Sequence, residues 1–182
     1  MGEYHEFLST RIEVTDGHEL FAFPIDGKDI LKIATVARIS RDGMEIEGFQ
    51  RKEVRSHIKE IAKYIERPDA MIPNAIVLAF SDPNVSFEAI QHSHEEVLGE
   101  IGIFRVPVVD LTKEERPGFI VDGQQRTRAI DEADVESFPI MVCAFKEDDE
   151  EIQAQQFVNV NNTKPLPKEL MIELLPNLSF PP

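Results

Sequence analysis

The sequence predicts a single α/β (α+β) domain in which a mixed sheet is flanked by helices. Strand-length apolar runs (Phe21–Ile25, Asn74–Phe80, Phe119–Val121, Phe138–Phe145) alternate with segments whose apolar residues recur at helical spacing. No internal repeat and no linker divides the chain. Its 182 residues, 42% hydrophobic and 29% charged, suffice for one full core. Residues 1–182 are therefore expected to be one domain, and an amphipathic segment near the end suggests the N-terminal part of a longer protein.

Taken in order, Glu3 to Val14 reads as a first strand or loosely ordered entry, and Phe21 to Ile25 as a short strand. Asp29 to Ala34 has helical spacing. From Glu47 a longer amphipathic helix opens, with Val54, Ile58, Ile61, Ala62 and Ile65 on one face and Arg55, Lys59 and Lys63 on others. It stops at Arg67-Pro68, because the residue before a proline is pushed out of the α region. Asn74 to Phe80 is nearly continuous in apolar character, as a central strand is. Ser81 to Asn84 is a turn. Val85 to Glu100 is ambiguous; its His92-Ser93-His94-Glu95-Glu96 fits a polar hairpin tip better than any zinc spacing. Ile101 to Val109 is a strand that Pro107 assigns to an edge. Thr112 to Gly118 is a turn, Thr127 to Ala133 a helix, and Phe138 to Phe145 a buried strand. A helix over Glu150 to Val158, a polar stretch from Asn159 to Pro167 and a last helix over Lys168 to Leu175 complete the chain.

The net charge of −15 argues against a protein that coats nucleic acid non-specifically. The sign is uneven, however: Lys28 to Arg67 holds ten Lys or Arg against seven Asp or Glu, which leaves room for a local basic face. The acidic run Glu147-Asp148-Asp149-Glu150-Glu151 reads as a solvated helix start or loop. One cysteine, Cys143, lies in the apolar run Ile140–Phe145 and reads as a buried core thiol in a reducing compartment. With no apolar stretch near the ~20 residues of a membrane span and no signal-peptide pattern, a soluble cytoplasmic protein is expected.

The chain is organised around Phe119-Ile120-Val121-Asp122-Gly123-Gln124-Gln125-Arg126-Thr127-Arg128. A strand running through a tight turn into a helix aims backbone N–H groups and the positive end of a helix dipole at one spot. Gly123 permits a sharp turn. Arg126 and Arg128 bring guanidinium forks suited to phosphate oxygens, while Gln124 and Gln125 donate or accept as needed. Asp122 is the loop's one acid, able to cap the helix, hold a metal or orient a nucleophile. A plain turn with an Asp N-cap is the alternative. Gly48-Phe49-Gln50-Arg51 repeats glycine, amide and arginine at a helix entry, and Asn159 to Lys164 gathers amides and a cation; alone, each reads as a salt bridge or a capping loop. If the three meet, they form an anion pocket without a Walker motif.

F-Q-R, then D-G-Q-Q-R, then F-V-N-V-N-N-T-K-P-L-P resembles the DGQHR-domain proteins, including the DndB-like members of DNA phosphorothioation systems. The order is more distantly similar to GmrSD-type phage-defence proteins, and both groups fall with the ParB/sulfiredoxin-like fold. The resemblance runs from Phe21 to Leu175 and implies phosphate binding by Gly123, Gln124, Gln125 and Arg126, with Thr127 and Arg128 beside them. It also implies that Gln50, Arg51, Asn161, Asn162 and Lys164 line the same cleft. Asp122 and Arg126 would then serve nucleotide hydrolysis, with Mg²⁺ near Asp122 accompanying a nucleoside triphosphate. Gln125 stands where the family name has histidine, so no histidine base carries over, and the Trp of the GmrSD-type opening motif is missing.

The function expected is therefore a nucleotide-phosphate-binding, NTP-hydrolysing domain of a bacterial DNA-modification or defence system. The alternative is a DndB-like DNA-binding regulator of a modification operon, contacting DNA through its basic face. Partners would be a nucleotide, DNA and other proteins of such a system, with no membrane. A degenerate interaction module is less favoured given the intact D-G-Q-Q-R, and thiol repair is disfavoured because no cysteine lies near the loop.

Overall fold

A computed structural model describes residues 2–14, 17–36, 40–41, 44–45, 55–90, 98–112, 115–149, 152–153, 156 and 159–160. Among the described residues the strands are β1 (Tyr4–Glu13), β2 (Glu19–Asp26), β3 (Ala34–Val36), β4 (Ser40–Arg41), β5 (Met44–Glu45), β6 (Ile76–Phe80), β7 (Ser86–Ala89), β8 (Glu100–Pro107), β9 (Gly118–Asp122) and β10 (Pro139–Lys146). Among the described residues the α-helices with set bounds are α1 (Ile30–Ile33), α2 (Arg55–Ile65) and α3 (Gln124–Glu132), with a 3-10 turn at Gly27–Asp29 before α1. Eight strands form one mixed sheet in the order β3-β9-β6-β10-β2-β1-β8-β7; β4 and β5 pair separately. The expected α+β class is observed.

Period-two alternation decides the faces. Phe21, Phe23 and Ile25 of β2, Ile140, Val142 and Ala144 of β10, and Ile76, Leu78 and Phe80 of β6 point to one side. Ile30 and Ile33 of α1, Ile58, Ala62 and Ile65 of α2, and Ala129 and Ile130 of α3 close over them as one core. Phe104 meets Phe21, Phe23 and Phe80 at ring-centroid distances of 4.8, 5.2 and 5.4 Å. The other side carries a second, smaller cluster of Ala79 and Val121 with Val77, Phe119, Phe145 and Val160.

Asp26 fixes one end of this arrangement. Its carboxylate accepts from Lys28 N–H at 3.0 Å, opening the 3-10 turn, and from Phe138 N–H at 3.1 Å, holding the approach to β10. Gly27 lies so close to α3 that a Cβ there would sit 2.8 Å from Ile130 Cγ2. Lys28 Nζ then donates to the carbonyls of Ala133 (2.7 Å) and Asp131 (3.1 Å), a cation at the C-terminal end of α3.

Several expectations need correction. Pro107 does not mark an edge strand, for β8 lies between β1 and β7. It is tolerated because β7 pairs only as far as Arg105, so the last positions of β8 have an open side. The ambiguous Val85–Glu100 region holds β7, which forms a hairpin with β8; residues 91–97, with the His92–Glu96 stretch, lie outside the described residues. Ala34 begins β3 rather than ending a helix. Cys143 is half-buried on the face opposite the main core, where burial pushes its thiol pKa up. Helical residues extend to Asn159 and Val160, past the expected end. Gln153 N–H donates to the Asp149 carbonyl at 3.0 Å, ahead of the helical residues Ile152 and Gln153; Glu150 and Glu151 of the acidic run lie outside the described residues. The opening of the α2 region before Arg55 and the last expected helix lie outside the described residues.

Burial alone would raise the Asp26 pKa, but the donors Lys28 N–H, Ser137 and Phe138 N–H, with the Lys28 charge, hold it below the ordinary 3.8. A depressed folded-state pKa makes the contribution of Asp26 fully present above the ordinary value and lost as pH falls through the lowered one. Asp26→Ala is expected to cost about 2 kcal/mol at pH 7, from two bonds to a charged acceptor. Urea denaturation should show that difference shrinking as the pH falls below the ordinary carboxylate value.

Candidate functional site at the turn from β9 into α3

Asp122 is the last residue of β9, and Gly123 is the N-cap of α3 at φ 94°, in the left-handed region. Only glycine enters that region without steric cost, and here a Cβ would also run into Ile76 Cδ1. The helix starts at Gln124, three residues before the expected Thr127, so Gln124, Gln125 and Arg126 form its first turn. Among the described residues no side chain caps this N-terminus. Thr127 N–H is the first to bond back, to Gly123 O at 2.8 Å. The N–H groups ahead of it therefore point out of the helix end unpaired within it, which is the arrangement that receives anions.

Asp122 does not cap the helix. Its Oδ2 accepts from Arg126 Nη2 at 2.7 Å, an i,i+4 pair. Arg126 Nη1 donates to Asn74 O at 2.5 Å and Ala75 O at 3.0 Å. The guanidinium, 19% exposed, thus bolts the β9–α3 corner to the segment entering β6. Sequence reasoning missed this because carbonyl acceptors leave no residue-type signature; only the i,i+4 spacing of Asp122 and Arg126 hinted at half of it. Gln124 and Gln125 are half-buried, Arg128 is exposed, and Thr127 is buried. Thr127 Oγ1 has no hydrogen-bond partner among the described residues.

Gln50, Arg51, Asn161, Asn162 and Lys164 lie outside the described residues. β3 runs parallel to β9, so the chain leaves Val36 toward Gln50 and Arg51 at the sheet end where Asp122 sits. Val160, just before Asn161, packs in the cluster that contains Val121.

The sequence also placed cations on α2, and the structure sorts them. Arg55, Lys59 and Lys63 are all exposed. At i, i+4 and i+8 they form one stripe, about 6 Å apart per step. None has an ion-pair partner among the described residues. Ile58, Ala62 and Ile65 turn inward instead. Among the described residues no group of three or more His, Cys, Asp or Glu is placed to hold a metal, and no helix is long and apolar enough to cross a membrane.

Comparison with known families matches residues 10–173 to the family described as DndB: DNA-sulfur modification-associated. No curated protein and no solved structure matches the chain.

Two substitutions test the corner as a structural unit. Gly123→Ala should cost about 2 kcal/mol or more, from the left-handed backbone and the collision with Ile76. Arg126→Met should cost about 3 kcal/mol by leaving the Asp122 carboxylate and two carbonyls without their donor. Denaturant midpoints measure both, and Arg126→Lys should recover little, since an ammonium does not reproduce the fork.

Proposed function

The chain belongs to the DndB family of DNA-sulfur modification-associated proteins, and on that premise we propose that it serves its system by holding a nucleotide phosphate at the N-terminus of α3. The observation that carries this reading is the uncapped first turn behind a left-handed Gly123. Backbone N–H groups and the helix dipole would supply the main attraction. Gln124 and Gln125 flank the position as neutral donors, and Arg128 is near enough in sequence to add charge. Gln50, Arg51, Asn161, Asn162 and Lys164 would complete the cleft from the two segments that approach this corner. The setting we propose is the cytoplasm, beside the other proteins of a DNA-modification system.

Arg126 serves this reading as a positioning residue. Its Nη atoms already hold Asp122 and two carbonyls, so it shapes the loop that receives the phosphate. Asp122 has one oxygen committed to Arg126, which leaves one carboxylate oxygen at the turn. A Mg²⁺ arriving with a nucleoside triphosphate would rest chiefly on phosphate oxygens, as Mg²⁺ does in such complexes. Binding is thus the supported activity; hydrolysis would need Asp122 released from Arg126 to act on water.

Calorimetric titration of ATP, GTP and CTP with Mg²⁺ tests the proposal, comparing the wild type with Gln125→Glu. A carboxylate in the first turn favours the helix dipole but repels phosphate. The expected result is unchanged or raised thermal stability together with at least about tenfold weaker nucleotide binding, about 1.4 kcal/mol. Equal binding by both proteins would place the phosphate elsewhere, and no binding of any nucleotide by the wild type would end the nucleotide reading.

A second reading, DNA binding by a regulator, draws on the exposed Arg55-Lys59-Lys63 stripe. Three phosphate contacts imply that log K falls with log salt at a slope about 2.7 steeper than without them. Replacing all three by Gln should remove that much of the slope in duplex-binding titrations between 50 and 200 mM salt, roughly the range in which such contacts act. An unchanged slope would remove α2 from the DNA interface.

A further inference from the structure

Helices α2 and α3 end side by side. Glu66, the residue after α2, accepts from Asp134 N–H at 3.0 Å, and Asp134 lies just beyond α3. The strips of chain that leave these two ends, residues 66–72 toward β6 and residues 135–138 toward β10, wall a groove of about 460 Å³. Its floor is apolar: Ile65 is buried, and Ile72, Val135 and Phe138 are partly buried against the main core. Ala70 and Met71, the latter 70% exposed, stand on one wall, and Pro139 on the other. Every residue that lines the groove is among the described residues.

Both walls are held by the chain's own bonds. Tyr64 Oη donates to Met71 O and accepts from Met71 N–H, each at 2.9 Å. Asp69 takes the Arg67 fork through Nε at 3.0 Å and Nη2 at 2.8 Å. On the opposite wall, Phe138 N–H donates to Asp26 at 3.1 Å, and Phe138 O accepts from Gly27 N–H at 2.9 Å. Walls fixed in this way lose little freedom when a ligand enters. Charge then selects the occupant. Glu66, Asp69, Asp131, Glu132, Asp134 and Glu136 are all exposed around the groove. The nearby cations are already engaged, Arg67 by Asp69 and Lys28 by the carbonyls of Asp131 and Ala133. The last turn of α3 has no basic residue. A helix C-terminus carries partial negative charge, so acids gathered beside two such ends sit where they are least favourable. A cation from outside relieves that repulsion, whereas nucleic acid or an anionic membrane is repelled. The apolar floor adds a second requirement, side chains to bury, which a bare metal ion does not meet.

We propose that this groove takes a segment of a partner protein in which apolar anchors are flanked by lysine or arginine. Ile72, Val135 and Phe138 receive the anchors, and Glu66, Asp134 and Glu136 face the cations. The groove lies at the end of α3 away from Gly123, so it stands independently of the nucleotide reading.

The probe is a fluorescent peptide with two leucines between paired lysines, titrated against the full chain. One control peptide carries glutamates in place of the lysines, and another carries serines in place of the leucines. The wild type should bind the first peptide at micromolar concentration and neither control. Asp134→Lys/Glu136→Lys should weaken that binding at least about tenfold, about 1.4 kcal/mol. The same variant should melt at an equal or higher temperature, because a cation at a helix C-terminus is favourable. Ala70→Phe, which fills the groove from its own wall, should lose the peptide as well. Undiminished binding by either variant, equal binding of either control, or no binding of the first peptide by the wild type would each overturn the proposal. Self-association of the wild type that Ala70→Phe abolishes would also overturn it, assigning the groove to a second copy of the chain.

Discussion

The Arg126 guanidinium is the constraint on which the candidate site depends. β9 and β6 are antiparallel neighbours, so the end of β9 and the beginning of β6 lie side by side. The chain must nevertheless turn away from the sheet at Asp122 to place α3 over the core. A register shift between Val77 and Leu78 marks the place where the ladder yields to that turn. Arg126 closes the gap by taking the carbonyls of Asn74 and Ala75, which the ladder leaves over, and the carboxylate of Asp122. With Arg126 so occupied and Asp122 drawn off the helix end, neither of these side chains caps the N-terminus of α3. The open cap is a consequence of the clamp.

A second constraint acts at the other end of α3. Lys28 takes its C-terminal carbonyls, and Gly27 lets Ile130 approach the backbone. Asp26 binds both the turn that carries Lys28 and the stretch that enters β10. The helix is thus held at both ends by polar contacts and along its length by Ala129 and Ile130 in the core. A helix mounted in this way would lose little conformational freedom on meeting a ligand, which would lower the entropic cost of binding.

Much of this was legible in the sequence because it depends on residue type. The apolar runs of β2, β6, β9 and β10 and the inward stripe of α2 follow directly from their periodicity, and Gly123 was marked as a turn by its lack of a side chain. What failed to show depends on partners without a sequence signature. β3 is only three residues long and exists because β9 offers it a free edge. The Pro107 expectation failed because an edge is a property of a position along a strand, whereas the sequence suggested it for the strand as a whole. Cys143 was assigned to the core from the apolarity of its run, yet alternate residues of that run face opposite sides, and the two sides are not equally covered. At the turn into α3, the contacts of Arg126 rest on two backbone carbonyls, which no residue type announces.

The charge distribution bears on what the folded chain would gain from a polyanion. Several of the described cations are neutralised locally: Arg11 pairs with Glu19 and Glu100, Arg67 with Asp69, Arg105 with Glu6 and Glu88, and Arg126 with Asp122. Apart from the part-buried Arg126 pair, these surface pairs add little to stability, but all of them remove their cations from any long-range attraction. Arg55, Lys59 and Lys63 are arranged differently, with like charges repeated at i,i+4, a spacing that slightly destabilises an isolated helix. A ligand that neutralises the stripe would relieve that repulsion and, by binding only the folded chain, would raise its stability with concentration. On a chain of net charge −15 the rest of the surface repels the same ligand, so productive contact is confined to the few places where backbone dipoles or unpaired cations outweigh the field. The open end of α3 and the stripe on α2 are carried by two helices that pack against each other.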